Sequence, residues 1–297
     1  MTVALIAGEG GLPRHVANAL GRAGRDWFAC HLQDHPPTGV GQSRPFRIEH
    51  LGSFIAALRD RDVAQVCFAG RVARPTPDPS QIDAATAPMM ARIADAIASG
   101  DDAALRTVID LFEEGGLTVV APHEVAPDLI DVPAIGTPTD GDRADIERGH
   151  AVLSALGPVD VGQACIVAAG QVLAVEALPG TDWMLATLAP PPPRAPQAQE
   201  GGGFLGGVTD WLSGPGPAAP GLPDFPRPAG GVLVKAPKPA QDRRIDLPAI
   251  GPDTVRRAAA ARLNGIAVER GGVMVIDRGE VAQIARGAGL FIHAFDP

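Results

Sequence analysis

The 297-residue sequence contains no tyrosine, and aromatic residues make up only 4% of it. Stacking platforms for nucleic-acid bases are therefore not expected. Its three cysteines are widely scattered and form no CxxC pair, which argues against a zinc site and is typical of a reducing compartment. No apolar stretch reaches the roughly eighteen residues of a membrane-spanning helix, so the sequence predicts a protein that does not cross a bilayer.

Positive charge is also scarce. The formal net charge is -9 at pH 7, and this excess of negative charge repels the phosphate backbone of nucleic acid and anionic lipid surfaces at long range. We therefore expect no nucleic-acid partner, and any phosphate has to be bound by a local group of cations. The first residues read as a strand and lack the basic region and cleavage site of a signal peptide, which favours a cytoplasmic location.

What the sequence does contain is an alternation of apolar runs and helical patterns. The opening TVALIAG reads as a buried strand, followed by a turn at Gly8, Gly10 and Gly11 and a helix with Pro13 near its first turn. Further strands are predicted at 27–32, 63–69 and 117–122, and helices at 51–59, 87–98 and 103–114. This pattern predicts a parallel sheet covered on both faces, in a Rossmann-like N-terminal domain.

A chain of this length is expected to form two domains that share a cleft. We assign residues 1–138 to the N-terminal domain, 139–150 to a linker and 151–297 to a second α/β domain that carries the catalytic groups. In this C-terminal part the sequence predicts helices at 144–156 and 252–263, a hairpin-like strand pair at 164–168 and 172–177, and strands at 231–235, 273–276 and 290–294.

A Pro/Gly-rich segment, residues 189–231, interrupts the second domain. It has 11 prolines and 10 glycines, a density that does not build a core and predicts a flexible insertion. Within it, five apolar residues recur at helical spacing: Phe204, Leu205, Val208, Trp211 and Leu212. This short apolar stripe is either an incidental island in a linker or a contact for membrane or acyl chains.

Two glycine motifs in the first domain are candidates for binding a phosphate. The Gly8–Gly11 turn lets backbone N–H groups approach an anion at a helix N-terminus, but it lacks the full GxGxxG spacing, and a purely structural turn explains it equally well. Gly70 and Arg71 follow an apolar strand, at the edge where open α/β sheets bind ligands. Arg71 is suited to stack on a base or to bind phosphate.

The segment from Leu233 to Gly251 carries the densest group of charges. Lys235 and Lys238 flank a proline, Gln241 offers an amide, and Asp246 lies in an Ile-Asp-Leu-Pro context. Cations beside an isolated carboxylate suit a phosphate with a divalent metal, although an ordinary charged loop between strands is the simpler alternative.

A second polar group is expected where the strand containing Glu176 ends. Gly180 allows the chain to turn there, so that Thr181 and Asp182 face a cleft. Thr181 is a candidate phosphate ligand, and Asp182 is a candidate partner of a metal or a lysine. Trp183 follows directly.

Seven segments taken together resemble one known family. They are LIAGEGGLP at 5–13, CFAGRVARP at 67–75, GDDAALRTVIDLFEEGG at 100–116, HEV at 123–125, DVGQACIVAAGQVLAVEALPGTDWML at 160–185, the segment 233–251 and GGVMVIDRGEVAQIARGAGLFIHAFDP at 271–297. In this order they are similar to the LpxI family, the UDP-2,3-diacylglucosamine pyrophosphatases of lipid A biosynthesis. The resemblance covers nearly the whole chain except 189–231. Where the family has a small residue this chain has Trp183, and it has Ala249 where the family often has threonine.

The resemblance implies Mg²⁺-dependent hydrolysis of UDP-2,3-diacylglucosamine to 2,3-diacylglucosamine 1-phosphate and UMP, with Mn²⁺ as an alternative ion. Asp246 is the implied catalytic residue, and Asp246 and Asp182 are the expected metal ligands. The expected substrate contacts are Gly10, Gly11, Leu12, Gly70, Arg71, Thr181, Lys235, Lys238 and Gln241. The resemblance also implies a homodimer that lies peripherally on the cytoplasmic face of the inner membrane and contacts it transiently.

Two other functions fit parts of the sequence. A nucleotide-sugar or phospholipid binding protein without turnover would keep the same fold and the same polar groups. A nicotinamide-dependent oxidoreductase is suggested only by the N-terminal glycines, and the acidic residue that would bind the ribose is missing. Release of UMP separates the hydrolase from both.

Overall fold

The parallel sheet predicted for the N-terminal half is present. The computed structural model describes residues 1–72, 77–99, 101–189, 228–239 and 241–297. The N-terminal strands are β1 (Thr2–Ala7), β2 (Trp27–Leu32), β3 (Ser43–Phe46), β4 (Val63–Ala69) and β5 (Thr118–Val120). They pair in the order β3-β2-β1-β4-β5, and every pairing is parallel. In doubly wound sheets of this order, ligands bind where the order reverses, here between the carboxyl ends of β1 and β4.

Helices cover both faces of this sheet. They are α1 (Leu12–Arg22), α2 (Leu51–Arg59), α3 (Ala87–Ser99), α4 (Asp101–Glu114) and the short α5 (Pro122–Val125). Successive residues of a strand point to opposite faces, so Leu5 packs in a cluster with Leu20 of α1, whereas Ile6 packs in a cluster with Phe112 of α4. We call these clusters the α1-side core and the α4-side core. The Rossmann-like N-terminal domain is confirmed.

The C-terminal half forms a second, mixed sheet. Its strands are β6 (Ala164–Ala168), β7 (Gln171–Val175), β8 (Val232–Lys235), β9 (Ala249–Ile250), β10 (Gly265–Glu269), β11 (Met274–Val275) and β12 (Phe291–Phe295). Five of them pair in the order β12-β10-β8-β6-β7, and β9 pairs with β11. The three strands β12, β10 and β8 are parallel, whereas β6 is antiparallel to both of its neighbours. A second α/β domain is therefore confirmed.

The boundary between the domains differs from the predicted one. The C-terminal helices are α6 (Asp140–Leu156), α7 (Gly180–Leu188), α8 (Pro252–Ala260) and α9 (Arg278–Ala288). Residues 139–150, predicted as a linker, instead begin α6, which Thr139 caps by accepting a hydrogen bond from the backbone N–H of Asp142. Ile146 of this helix packs with β6 and β8 in one core. The segment therefore belongs to the C-terminal domain.

The two domains contact each other beside α1. The guanidinium of Arg14 lies 2.7 Å from a carboxylate oxygen of Asp277, which precedes α9, and Arg278 forms an ion pair with Asp131. Leu247 and Met274, both from the C-terminal domain, belong to the α1-side core. The cleft between the domains is thus bordered by the first turn of α1.

Part of the predicted insertion, residues 190–227, lies outside the described residues, and with it the apolar stripe of Phe204, Val208 and Trp211. Of the helices in the described part of the chain, none has the length and apolar character needed to cross a membrane.

Candidate active site between the domains

The first edge of the site is built by the loops that follow β1 and β4. Backbone hydrogen bonds join them, since the N–H of Glu9 donates to the carbonyl of Arg71 at 2.8 Å and the N–H of Arg71 donates to that of Glu9 at 3.1 Å. A Cβ added to Gly8 would lie 2.5 Å from the Arg71 carbonyl oxygen, and one on Gly70 would lie 2.6 Å from that of Glu9. Both glycines are therefore required for the loops to approach each other.

Of the remaining two glycines of the first loop, Gly10 borders open space and Gly11 faces the other domain. Gly10 has a φ of +94°, and a Cβ added to Gly11 would lie 3.1 Å from Cγ2 of Ile276. The side chain of Leu12 is buried in the α1-side core, and the contact of this residue with substrate stays a prediction. Arg71 is exposed beside Gly70. Contacts of Gly10, Gly11, Gly70 and Arg71 with substrate stay predictions.

The second edge of the site is a chain of hydrogen bonds that ends on a buried lysine. Lys235, only 6% exposed at the end of β8, donates from Nζ to Oγ1 of Thr181 at 2.7 Å. Thr181 in turn donates to Oε1 of Glu176 at 2.7 Å, and Oε2 of Glu176 accepts from the backbone N–H of Gln163 at 3.0 Å. In this chain of hydrogen bonds, the hydroxyl of Thr181 donates its proton to Glu176, and a lone pair of the same hydroxyl oxygen accepts from Lys235.

Burial lowers the pKa of Lys235 below its ordinary value of 10.5, because water no longer stabilises the ammonium group. Three carboxylates act in the opposite direction and raise the pKa: those of Glu176, Asp182 and Asp246. These three carboxylates therefore lie within electrostatic reach of one ammonium group. Asp182 and Asp246 were predicted to lie together near Lys235, whereas Glu176 was not predicted as a site residue, although a lone carboxylate directly after an apolar strand signals it.

Thr181 and Asp182 lie in the first turn of α7 and not at the end of a strand, because β7 stops at Val175. Gly180 has a φ of +86°, which allows the sharp entry into this helix. Asp182 lies 3.5 Å from the guanidinium of Arg257 on α8. From a single turn, helix α7 thus places the Thr181 hydroxyl beside Lys235 and the Asp182 carboxylate at the cleft.

Asp246 is held by Gln241. Nε2 of Gln241 donates to Oδ2 of Asp246 at 2.5 Å, while its Oε1 accepts from the backbone N–H of Lys238 at 3.0 Å. The amide of Gln241 is therefore used on both sides, and it orients the carboxylate. Lys238 differs from the prediction that both lysines face the diphosphate, because its ammonium forms an ion pair with Asp160.

One of these groups, Asp182, lines a cleft of about 320 Å³. It lies where four helices begin, since its lining residues belong to the N-termini of α1, α7, α8 and α9. They include Gly11, Asp182, Gly251, Asp253, Asp277 and Glu280. Helix N-termini carry partial positive charge and unpaired N–H groups, which favour phosphate oxygens. Gly11 is contributed by the N-terminal domain, so the cleft is shared between the domains, as predicted.

The residues available for a metal ion are few. Among the described residues, no group of three or more histidine, cysteine, aspartate or glutamate side chains could hold a metal by itself. The site instead offers the two carboxylates of Asp182 and Asp246, both within electrostatic reach of Lys235. This set fits Mg²⁺, which proteins usually hold through one or two carboxylates while substrate phosphates and water complete its shell.

The fold and the site define a two-domain α/β protein with a polar cleft between its domains, which four helix N-termini, four carboxylates and one guanidinium line. The models of the LpxI N-terminal domain and the LpxI C-terminal domain match residues 2–129 and 137–293. The UDP-2,3-diacylglucosamine pyrophosphatase LpxI of Caulobacter vibrioides is 36% identical over 304 aligned residues, which cover 99% of this chain and 97% of that protein. The chain belongs to the LpxI family.

Proposed function

We propose that the chain hydrolyses UDP-2,3-diacylglucosamine to 2,3-diacylglucosamine 1-phosphate and UMP, the reaction implied by the name of its Caulobacter relative. The observation that carries the proposal is the buried Lys235, which is hydrogen-bonded to Thr181 and lies within electrostatic reach of Asp246 and of Asp182, a residue that lines the interdomain cleft. A fixed cation between carboxylates suits a diphosphate, whose charge has to be neutralised before water attacks it.

Each of these residues has a distinct role in the proposal. Asp246 accepts a hydrogen bond from the attacking water and aims it at the sugar-side phosphorus. A bond forms between the water oxygen and this phosphorus, and the anhydride bond breaks to release UMP. Lys235 binds the diphosphate, while Thr181, whose hydroxyl proton is donated to Glu176, holds the ammonium group of Lys235 in place.

We also propose that Asp246 and Asp182 hold Mg²⁺, with Mn²⁺ as a substitute. A bound divalent ion supplies electrostatic stabilisation of the charge on the two phosphates. Dialysis against a chelator followed by addition of Mg²⁺ should abolish and then restore UMP release, and full activity in excess chelator would contradict the metal requirement.

The proposed reaction is tested by following UMP and the sugar phosphate in ¹⁸O-labelled water. The label should appear in 2,3-diacylglucosamine 1-phosphate, because the water oxygen ends on the phosphorus that it attacks. Label in UMP would contradict attack at the sugar side. Tight binding of the substrate with no release of UMP would instead favour the binding protein without turnover.

The pH dependence follows from the lowered pKa of Lys235. Because its ammonium loses the proton at lower pH than an ordinary lysine, kcat/KM should fall as the pH rises through a pKa below 10.5. The sequence has only two lysines, Lys235 and Lys238, so ¹³C NMR of their ε-carbons resolves this titration. The ε-carbon signal that is absent from the spectrum of Lys235→Met belongs to Lys235. A pKa of 10.5 or above for this lysine would contradict the prediction.

We propose that the site meets the inner membrane through an apolar surface formed by Leu178 and Trp183. These side chains are 94% and 59% exposed on either side of Thr181. Because the net charge of -9 repels anionic lipid, binding to neutral vesicles should persist at high salt. The double variant Leu178→Asp, Trp183→Glu should lose most vesicle binding while it retains kcat/KM on a soluble short-chain substrate. Unchanged co-sedimentation of this variant would refute the surface.

We further propose that the protein acts as a homodimer on the cytoplasmic side, as the family resemblance implies. Sedimentation equilibrium should give twice the mass of one chain, and the mass of a single chain across micromolar concentrations would exclude the dimer.

A further inference from the structure

The segment that carries Asp246 belongs to the C-terminal domain but packs on the N-terminal one. Ile245 packs against the α4-side core, and Leu247, 6% exposed, is part of the α1-side core. Since these two cores lie on opposite faces of the N-terminal sheet, the residues on either side of Asp246 are fixed to both faces.

An ion pair adds a second attachment to the same domain. Nη1 of Arg244 lies 2.7 Å from Oε1 of Glu113 on α4, and its Nη2 lies 2.7 Å from Oδ2 of Asp242. The hydrogen bonds from Arg244 hold the pKa of Asp242 below its ordinary value, and Arg106 of α4 lowers it further. Asp242 and Arg244 are therefore bound as one charged unit to α4.

This unit is directly connected to Asp246. The backbone N–H of Asp246 donates to the carbonyl of Asp242 at 3.2 Å, so both lie in the same turn. Meanwhile, the functional partners of the Asp246 carboxylate, Lys235 and Thr181, are held by β8 and α7 of the C-terminal domain. The distance between carboxylate and ammonium thus depends on how the segment docks on the other domain.

We infer that Ile245, Arg244 and Glu113 are positioning residues, through which the N-terminal domain sets the Asp246 carboxylate against Lys235 and Thr181. The inference rests on the proposed hydrolysis. A carboxylate that aims water has to be placed accurately, because a displacement of about 1 Å can cost about 100-fold in rate. None of the three residues touches the reacting atoms in this account, so their loss should lower kcat and leave KM nearly unchanged.

The test uses three variants: Glu113→Gln, Ile245→Val and Ile245→Ala. The side chain of Glu113 is 40% exposed, so its replacement by glutamine does not disturb the core. Glu113→Gln should lower kcat for UMP release about 10-fold, and Ile245→Ala about 100-fold, with KM changed less than about threefold. Ile245→Val should lie between Ile245→Ala and the parent. Combining Glu113→Gln with Arg244→Gln should cost less than the sum of the two single effects, because the two residues form one pair.

The matched control is Glu114→Gln on the same helix. Glu114 forms an ion pair with Arg92 of α3 at 2.8 Å, away from the Asp246 segment. This variant should keep the parental kcat, and its melting temperature should change as much as that of Glu113→Gln. Equal kcat values for Glu113→Gln, Ile245→Ala and the parent would overturn the inference while leaving the proposed function intact. A parent chain that releases no UMP would instead refute the proposed function.

Discussion

Asp246→Asn should lower kcat for UMP release by about 10³-fold, within the range by which general acid–base groups accelerate reactions. Asparagine keeps the shape of the side chain and a polar contact for Gln241, so the segment should stay in place. What is lost is the negative charge that accepts the proton of the attacking water and helps hold a divalent ion. KM should change little, because Lys235 still binds the diphosphate.

The matched control for this variant is Asp296→Asn. Asp296 is also a paired carboxylate, with Arg270 at 2.7 Å, but it is 78% exposed near the C-terminus. It should keep parental activity. Circular dichroism and the melting temperature of Asp246→Asn should match those of the parent. Turnover by Asp246→Asn within about twofold of the parent would contradict the catalytic role.

Lys235→Met should lower kcat/KM about 100-fold or more, because a cation that is fixed in a dry site stabilises phosphate charge far more than one in water. Methionine is unbranched and fills the same space. Burial is the largest effect on the pKa of Lys235 and lowers it, so the folded environment disfavours the ammonium. The melting temperature should therefore stay equal or rise while activity is lost.

Lys238→Met provides the comparison for Lys235→Met, since these are the only two lysines in the sequence. The ammonium of Lys238, whose side chain is 20% exposed, forms an ion pair with the half-exposed Asp160, and partly exposed pairs of this kind contribute little. Its loss should reduce kcat/KM at least tenfold less than Lys235→Met. Equal losses in both variants would show that Lys235 has no special place in the site.

The elements predicted best are those with clear limits in the sequence. The predicted strands 27–32 and 63–69 have the observed bounds, because each is an apolar run between polar or glycine residues. Strand β10 was missed, since its five-residue run GIAVE follows a helix and short apolar runs do not reveal their conformation. Helices α7 and α9 were missed because neither has a side-chain cap that marks its start.

The site was predictable as a set of residue types but not as a set of contacts. Lys235, Thr181 and Asp246 were expected to act together, and their electrostatic and hydrogen-bond coupling is present. The pairing of Lys238 with Asp160 joins residues 78 positions apart, and that of Arg244 with Glu113 joins residues 131 positions apart. Such pairs depend on the packing of whole domains, which local patterns do not encode.

The central claim is that the Asp246 carboxylate acts in the transition state and contributes little to holding the substrate. Single-turnover release of UMP, with enzyme in excess over UDP-2,3-diacylglucosamine, measures the chemical step together with the substrate Kd for the parent and Asp246→Asn. We expect Kd values within about threefold of each other and a rate about 10³-fold slower in the variant. Equal rates, or a slower rate explained entirely by a weaker Kd, would contradict it.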